Sequence, residues 1–282
     1  MTTSETDKSS PRVIAVSSGK GGVGKTFFSI HLAARAVKQG LRVLLLDADL
    51  GLANVDVMLG LSGKGSVKQV VSGEARLSDM LLRAKAGFDV LPGGSGLAEL
   101  TALNGTQQQV LMSEMREAAE NYDLVLIDTA AGISDNVLFF VASSESCLVV
   151  ITPDPTSLTD GYGLIKVLSQ QRDVRRFMVA INQADKVDGE LTFRRLMSVA
   201  DRYLDVHLDY VGNMPSHKEV RQAIRQQSLL HGVQAEKDLD MVLDEILDRP
   251  RDDSRSGGLQ FFWEHSLGQD LEADMGSARA QG

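Results

Sequence analysis

Short hydrophobic runs alternate with amphipathic stretches along most of this chain. Two of the runs are almost continuously apolar, Leu124-Val125-Leu126-Ile127 and Leu148-Val149-Val150-Ile151. Runs of this kind are typical of strands that are covered on both faces. The pattern predicts strands over residues 12–17, 42–47, 88–91, 123–128, 146–152, 176–182 and 208–212.

Between the predicted strands, apolar residues recur with the period of a helix. This pattern predicts helices over residues 26–39, 66–72, 76–84, 106–121, 134–143, 156–171, 188–204, 216–227 and 235–247. Strands that alternate with helices are joined by right-handed crossovers. We therefore expect an α/β fold, a mostly parallel twisted sheet flanked by helices.

The character of the chain changes near both of its ends. At 282 residues the chain has room for one large α/β domain. We expect a disordered lead-in over residues 1–11, a folded domain over 12–247, a polar linker over 248–258, and a short amphipathic segment with a flexible tail over 259–282.

Composition and charge narrow the classes of function. The net charge is −9, which disfavours a broad nucleic-acid face because phosphate contacts need clustered lysines and arginines. No apolar run is long enough for a transmembrane helix, and the polar N-terminus does not resemble a secretory signal. The single cysteine, Cys147, lies in an apolar run and is expected to be a buried structural thiol. We expect a cytoplasmic protein.

A glycine-rich segment follows the first predicted strand and precedes the first predicted helix. Its residues fit the phosphate-binding pattern G-x-x-x-x-G-K-[ST] and are Gly19, Lys20, Gly21, Gly22, Val23, Gly24, Lys25 and Thr26. Glycines let the backbone aim its N–H groups at phosphate oxygens, and the helix start adds partial positive charge. We predict that this loop and the adjoining Phe27 bind a nucleotide. Lys25 is expected to contact the β- and γ-phosphates and Thr26 to contact Mg²⁺.

Acidic residues end two of the predicted strands. Asp47 and Asp49 close the second strand, at the edge where open α/β sheets bind ligands. Asp128 ends the run that begins at Leu124 and has the Walker B arrangement of four apolar residues followed by an aspartate. Its carboxylate is expected to hold Mg²⁺ through water.

The form KGGVGKT, with Lys20 before the glycine pair, closely resembles the deviant Walker A loop of the MinD/ParA family of ATPases. In that family this additional lysine crosses a dimer interface and contacts the phosphates bound by the partner subunit. The resemblance implies an ATP-dependent homodimer that hydrolyses ATP slowly. Lys20 and Lys25 are its implied catalytic residues, together with Asp49.

The same resemblance implies roles for residues outside the loop. Asp49 corresponds to the switch I residue that orients or activates the attacking water, and Asp47 to a residue near the magnesium shell. Asn182 corresponds to the residue that reads the adenine edge, and backbone near Pro215 closes over the base. His217 stands where the family usually carries an acidic residue, which puts the details of the purine pocket in doubt.

Within the family, this sequence is most similar to the flagellar number regulators FlhG and FleN. The segments that carry this likeness are DADLGLANVDVMLGL, VLIDTAAGI, PTSLTDGYGLIKVL and LQFFWEHSL. The likeness implies a switch that limits flagellar number by restraining a FleQ-type AAA+ transcription activator, by acting with the GTPase FlhF, or both. The N-terminus lacks the DQAxxLR-type helix that stimulates FlhF, which favours the activator-restraining type. A MinD/ParA-type positioning ATPase for cell division or for DNA and cargo segregation is the alternative.

Two further segments have two interpretations each. The segment 153–160 resembles the one that borders the dimer interface in the family, and its Thr156 is alternatively predicted to cap a helix, with Asp160 as a first-turn acid. In the amphipathic segment, five residues recur with the period of a helix and would form one stripe along it: Leu259, Phe262, Trp263, Ser266 and Leu267. In MinD-like proteins such a tail binds membrane, which would place the protein peripherally on the inner membrane or at the cell pole. Its acidic neighbours repel anionic lipid, and the alternative is docking into a groove on the protein itself or on a partner.

Overall fold

The computed structural model describes residues 10–49, 55–63, 67–93, 105–230 and 233–251. Their helices and strands follow one another in the order β1 (Arg12–Ser18), α1 (Lys25–Lys38), β2 (Val43–Ala48), α2 (Val55–Leu59), α3 (Val67–Val71), a 3₁₀ turn (Leu77–Met80), β3 (Leu82–Arg83), β4 (Asp89–Leu91), α4 (Gly105–Ala119), β5 (Leu124–Ala131), α5 (Asp135–Ala142), β6 (Ser146–Ile151), α6 (Pro155–Gln171), β7 (Arg176–Asn182), α7 (Lys186–Tyr203), β8 (His207–Met214), α8 (Lys218–Arg225) and α9 (Val233–Asp248).

The strands form one eight-stranded sheet in the order β3-β4-β2-β5-β1-β6-β7-β8. Every neighbouring pair is parallel except β3 and β4, which are antiparallel. The predicted α/β class and mostly parallel sheet are confirmed. Parallel strands end on the same side, so the carboxyl ends of β1, β2, β5 and β7 share one edge of the sheet.

Both faces of the sheet are covered, because alternate residues of each central strand point to opposite sides. In β1, Ile14 and Val16 pack with the apolar faces of α1 and α9, whereas Val13 and Ala15 pack into clusters formed with α4 through α7. This two-sided burial accounts for the continuously apolar runs of the sequence. Cys147 is fully buried in β6, as predicted.

One predicted helix is wrong. Residues 76–84 form a 3₁₀ turn followed by β3, which pairs with β4 in the register Leu82 to Val90. The hairpin turns at Gly87, whose φ of +93° is readily adopted by glycine. A second difference is α2, which begins at Val55 in a stretch for which the sequence predicted neither a helix nor a strand.

The residues after α9 remain in contact with the domain. Arg251 bonds Glu145 and the carbonyls of Ser10 and Pro11, and Arg249 bonds the carbonyl of Tyr210. Asp248 is the last residue of α9. The predicted linker 248–258 therefore begins within this helix, and its next residues pack on the domain. The predicted amphipathic segment 259–267 lies outside the described residues. None of the helices in the described ranges is long and apolar enough to cross a membrane.

Candidate active site

The glycine-rich loop lies at the carboxyl edge of the sheet, between β1 and α1. Gly22 and Gly24 have φ values of +79° and +99°, which favour glycine. Gly24 is the N-cap of α1, where no side chain caps the helix and no acidic residue occupies the first turn. The amides and the partial positive charge of this helix start are therefore available to an anion such as a phosphate group.

Asp128 lies beneath the start of α1 and is fully buried. Ser29 donates a hydrogen bond to Asp128 Oδ1 at 2.9 Å. Burial raises the pKa of Asp128 to about 7, while the Thr26 hydroxyl, the charge of Lys25 and the Ser29 hydroxyl act in the opposite direction. Thr26, Lys25 and Asp128, which the sequence assigned separately, thus form one cluster.

This cluster fits a magnesium ion. Asp128 Oδ2 is buried and has no hydrogen-bond partner among the described residues, so one carboxylate oxygen remains for a further ligand. Over the same ranges no three His, Cys, Asp or Glu side chains are grouped closely enough to hold a metal by themselves. That donor set suits Mg²⁺, which usually takes one or two protein oxygens and completes its shell with water and substrate phosphates.

Asp47 is paired in register with Asp128 on the neighbouring strand. Asp47 Oδ1 accepts a hydrogen bond from the Asp49 amide, and Oδ2 accepts one from the Val55 amide, each at 3.1 Å. Asp47 therefore joins the two ends of the segment between β2 and α2. Asp49 is half-buried and follows the carboxyl end of β2. The predicted magnesium and water roles of Asp47 and Asp49 stay predictions.

Asn182 ends β7 and contacts the phosphate loop directly. Its Nδ2 donates to the Val23 carbonyl at 2.7 Å, and a Cβ placed on Gly24 would lie 2.3 Å from the same nitrogen. Asn182 Oδ1 accepts from the Gln183 amide at 2.9 Å. The sequence predicted an adenine contact here and missed this support of the loop, because the contact spans 159 positions of sequence.

The predicted base-closing residues lie next to Asn182. The register pairs Asn182 with Met214 at the end of β8, which places Pro215 just beyond this pair. His217 Nε2 lies 2.7 Å from Asp238 Oδ2, so α9 supplies a carboxylate next to the position where the family usually has one. The adenine roles of Asn182 and Pro215 remain predictions.

Phe27 and Ser29 lie on the first turns of α1. Phe27 is buried and stacks on His31 with ring centroids 4.0 Å apart, so only its backbone could serve the nucleotide. Ser29 was not predicted as a site residue. Its position four residues after Lys25 puts it on the same helix face, and that spacing was the signal available in the sequence.

Lys20 lies over the start of α6. Its Nζ donates to Thr156 Oγ1 and lies 3.5 Å from Asp154 Oδ1. The prediction that Thr156 caps this helix is wrong, and so is Asp160 as a first-turn acid, because α6 begins two residues earlier in the chain than that role requires. The N-cap is Asp154, which accepts from the amides of Thr156 and Ser157.

Known proteins are similar to this chain in sequence and in fold. A family model described as "AAA domain" matches residues 11–181. The chain is 43% identical to the antiactivator FleN of Pseudomonas aeruginosa over 78% of this chain and 79% of that protein. It is 31% identical to the flagellum site-determining protein YlxH of Helicobacter pylori over 85% and 82%, respectively. Its fold is similar to a MinC:MinD cell division protein complex of Aquifex aeolicus, with a TM-score of 0.66, 25% identity and coverage of 85% of this chain and 97% of that one.

Proposed function

This chain belongs to the MinD/ParA family of P-loop ATPases, close to FleN and FlhG, and from this premise we propose that it is an ATP-hydrolysing dimerisation switch that limits flagellar number. The observation that carries the proposal is the cluster at the carboxyl edge of the sheet. It combines an uncapped helix start, the buried Lys25 and the buried Asp128 with a second lysine, Lys20, at the exposed rim of the loop.

The proposed reaction is transfer of the terminal phosphoryl group of ATP to water. Lys25 and the loop amides bind the phosphates and neutralise the charge that develops on them, which is the main requirement of this chemistry. Asp49 orients the attacking water. Lys20 of one subunit contacts the phosphates held by the other, so hydrolysis depends on dimerisation.

Thr26 and Asp128 are the residues that would hold Mg²⁺, with Asp47 and Asp49 at the adjacent strand end. When bound, the metal ion supplies positive charge to the phosphate oxygens. Asn182 keeps the loop in its binding conformation through the Val23 carbonyl. The same side chain and the backbone at Pro215 are proposed to select adenine.

The descriptions of two relatives support a flagellar role, since one is an antiactivator and the other a flagellum site-determining protein. As partners of the ATP-bound homodimer we propose a FleQ-type AAA+ transcription activator and the GTPase FlhF. The segment 259–267 is proposed to contact the membrane, a groove on this protein or a partner.

The dimerisation switch is tested by two measurements on the full chain. Light scattering should give twice the monomer mass with ATP and the monomer mass with ADP. The specific ATPase activity should rise with protein concentration through the dimerisation range, and Lys20→Ala should remove that rise. A mass that does not depend on the nucleotide, or a specific activity that does not depend on concentration, would contradict the proposal.

The flagellar role needs a separate test. Capture from a lysate with ATP should recover an AAA+ activator or FlhF, and capture with ADP should recover less. Asp49→Ala, which is expected to block hydrolysis, should retain the partner for longer. Recovery of chromosomal DNA alone would favour the segregation ATPase instead.

A further inference from the structure

Polar side chains collect on one face of the sheet at its amino edge, opposite the phosphate loop. Near its amino end, each of four neighbouring strands carries a polar residue two positions before an apolar residue of the core shared with α1 and α9. Alternate residues of a strand point to the same face. The strands β1, β6, β7 and β8 therefore place the following side chains together beside the end of α9: Arg12, Ser146, Arg176 and Asp209.

These four residues line a small cavity of about 20 Å³. Glu145, just before β6, and Arg249, just after α9, complete its charged lining, while Met178 and Pro250 contribute uncharged surface. A cavity of this volume admits one water molecule or one monatomic ion and excludes polyatomic ions such as phosphate. The amino edge therefore offers a site for a single small guest.

The cavity has more free hydrogen-bond donors than free acceptors. Arg12 Nε, Arg12 Nη2 and Arg249 Nε are buried and have no hydrogen-bond partner in the described part of the chain. The Arg12 side chain is only 9% exposed, and its remaining nitrogen Nη1 donates to the Leu247 carbonyl at 2.9 Å. Glu145 Oε1 is a buried acceptor without a donor, 3.9 Å from Arg12 Nε. Guanidinium nitrogens only donate, so they require a guest that accepts.

The charge of the lining is also unbalanced. Three guanidinium groups face two carboxylates, which leaves one positive charge: Arg12, Arg176 and Arg249 against Glu145 and Asp209. Two further charges bond these residues from outside the cavity and cancel each other, because Arg251 bonds Glu145 and Glu245 bonds Arg249. One monovalent anion would therefore neutralise the cluster.

The pKa of Arg12 points in the same direction. Burial lowers this pKa, the charge of Glu145 raises it and the charge of Arg251 lowers it, and the lowering prevails. Arginine nevertheless stays protonated in proteins. The Arg12 guanidinium is thus a buried cation that its own surroundings compensate incompletely, and a negative charge beside it would stabilise it.

We propose that this cavity binds one small monovalent anion, chloride or bromide, through the N–H groups of Arg12 and Arg249. The ion accepts from all three free nitrogens and supplies the missing negative charge, whereas a water molecule accepts two hydrogen bonds and supplies no charge. Glu145 Oε1 opposes the ion, so the binding is weak. The site lies at the opposite edge from the nucleotide and does not depend on the proposed function.

Urea unfolding of the full chain at constant sodium concentration tests the site. Chloride or bromide replaces gluconate, which is too large for the cavity. The equilibrium constant for folding should rise with chloride and saturate, with an increase of about 11-fold at ten times the dissociation constant. Equal stability in chloride and in gluconate would overturn the inference, because the cavity would then hold water.

Arg249→Gln removes one of the free donors together with its charge. Arg175→Gln is the matched control, because Arg175 forms exposed ion pairs with Asp173 and Asp205 outside the cavity. The chloride dependence should disappear in Arg249→Gln and persist in Arg175→Gln. Arg249→Lys keeps the charge but lacks the Nε–H group, so its dissociation constant for chloride should rise. An undiminished chloride effect in Arg249→Gln would overturn the inference, since the anion would then act elsewhere.

Chloride NMR detects the ion on the folded wild-type protein and needs no variant. Exchange with a protein site broadens the chloride resonance, and bromide should remove the excess width by competition. Phosphate should leave that width in place, because it does not fit the cavity. If phosphate removes the width as well as bromide does, the chloride lies at the phosphate loop or on the surface, and the inference fails.

Discussion

At the scale of single residues, the candidate site depends on side chains that orient another side chain through a hydrogen bond. Asp128 has one oxygen bonded by Ser29 and one without a partner in the described part of the chain. The Ser29 bond therefore leaves Oδ2 as the oxygen available to the proposed Mg²⁺. A lone hydrogen bond contributes modestly to stability, but a buried carboxylate oxygen that loses its donor incurs a larger desolvation cost.

Ser29→Ala should weaken magnesium use and destabilise the fold. The variant leaves Asp128 Oδ1 without its Ser29 donor, which should lower the free energy of unfolding by about 1–3 kcal/mol. The Mg²⁺ concentration that half-activates the ATPase should rise, because the carboxylate is less well oriented. Denaturant unfolding and a magnesium titration measure the two effects. Ser144→Ala is the control, since the buried Ser144 hydroxyl bonds the Phe140 carbonyl away from the site. An unchanged magnesium requirement in Ser29→Ala would contradict the orienting role.

The sequence alone identified those residues of the site that belong to a local sequence pattern. Gly22, Gly24 and Lys25 lie in one contiguous loop, and Asp128 follows a recognisable apolar run. The contacts of Asn182 with Val23 and of Lys20 with Thr156 span more than a hundred positions each. Periodicity and spacing describe neighbours along the chain, so they do not show which distant side chains meet at the carboxyl edge.

At the scale of elements, strong periodicity predicted the long helices and the buried strands, whereas two short elements, α2 and β3, were missed. The segment 76–84 contains enough apolar residues for a helix, but Leu82 and Arg83 pair with β4 instead. Tertiary hydrogen bonding outweighs local propensity in so short an element.

Charged side chains join α9 to α1. Arg35 bonds Asp240 and Glu236, and Lys38 bonds Glu236 at 3.1 Å.

The contact between α1 and α9 should make stability depend on acid pH. Burial alone would raise the pKa of Glu236, but hydrogen bonds and charge from Lys38 and Arg35 outweigh it and lower the pKa below its ordinary value. A carboxylate with a depressed pKa stabilises the fold above its unfolded pKa of about 4.3, and this stabilisation is lost as the pH falls through the folded pKa. Glu236→Gln should therefore be less stable than the wild type at pH 7, and the difference should shrink as the solution is acidified below about pH 4.5.

Arg35→Ala provides the complementary change, since the Arg35 side chain is only 14% exposed. The variant should lose about 1–2 kcal/mol of unfolding free energy at pH 7. Arg42→Ala is the matched control, because Arg42 forms a more exposed ion pair with Asp123 and should change stability little. Urea unfolding at a series of pH values measures these differences. A Glu236→Gln deficit that stays constant from pH 7 to pH 3 would contradict the assignment.

At the scale of the whole molecule, the two edges of the sheet have separate roles. The carboxyl edge carries the phosphate loop, Asp49 and Asp128. The amino edge carries a buried charge cluster in which Arg12 at the start of β1, Glu145 just before β6 and Arg251 after α9 meet. Arg12 also donates to the Leu247 carbonyl at 2.9 Å. Arg251, the last described residue, is therefore held at the end of the sheet opposite the phosphate loop.

Glu145→Gln should loosen this amino edge without altering the chemistry of the opposite edge. The Glu145 side chain is only 1% exposed, and it is the carboxylate that faces both Arg12 and Arg251. Burial lowers the pKa of Arg12 and the charge of Glu145 raises it, so removing that charge leaves a buried guanidinium poorly compensated. Breaking a buried ion pair in this way costs about 3–5 kcal/mol. Thermal or urea unfolding should show this loss, and trypsin should cleave after Arg249 or Arg251 faster than in the wild type.

Because the catalytic edge is distant, the ATPase rate of the folded fraction should be unchanged. Arg175→Ala, which removes an exposed ion pair with Asp173, controls for a general effect of charge at the surface. Wild-type stability together with unchanged cleavage in Glu145→Gln would show that the ion pair with Glu145 does not hold Arg251 on the domain.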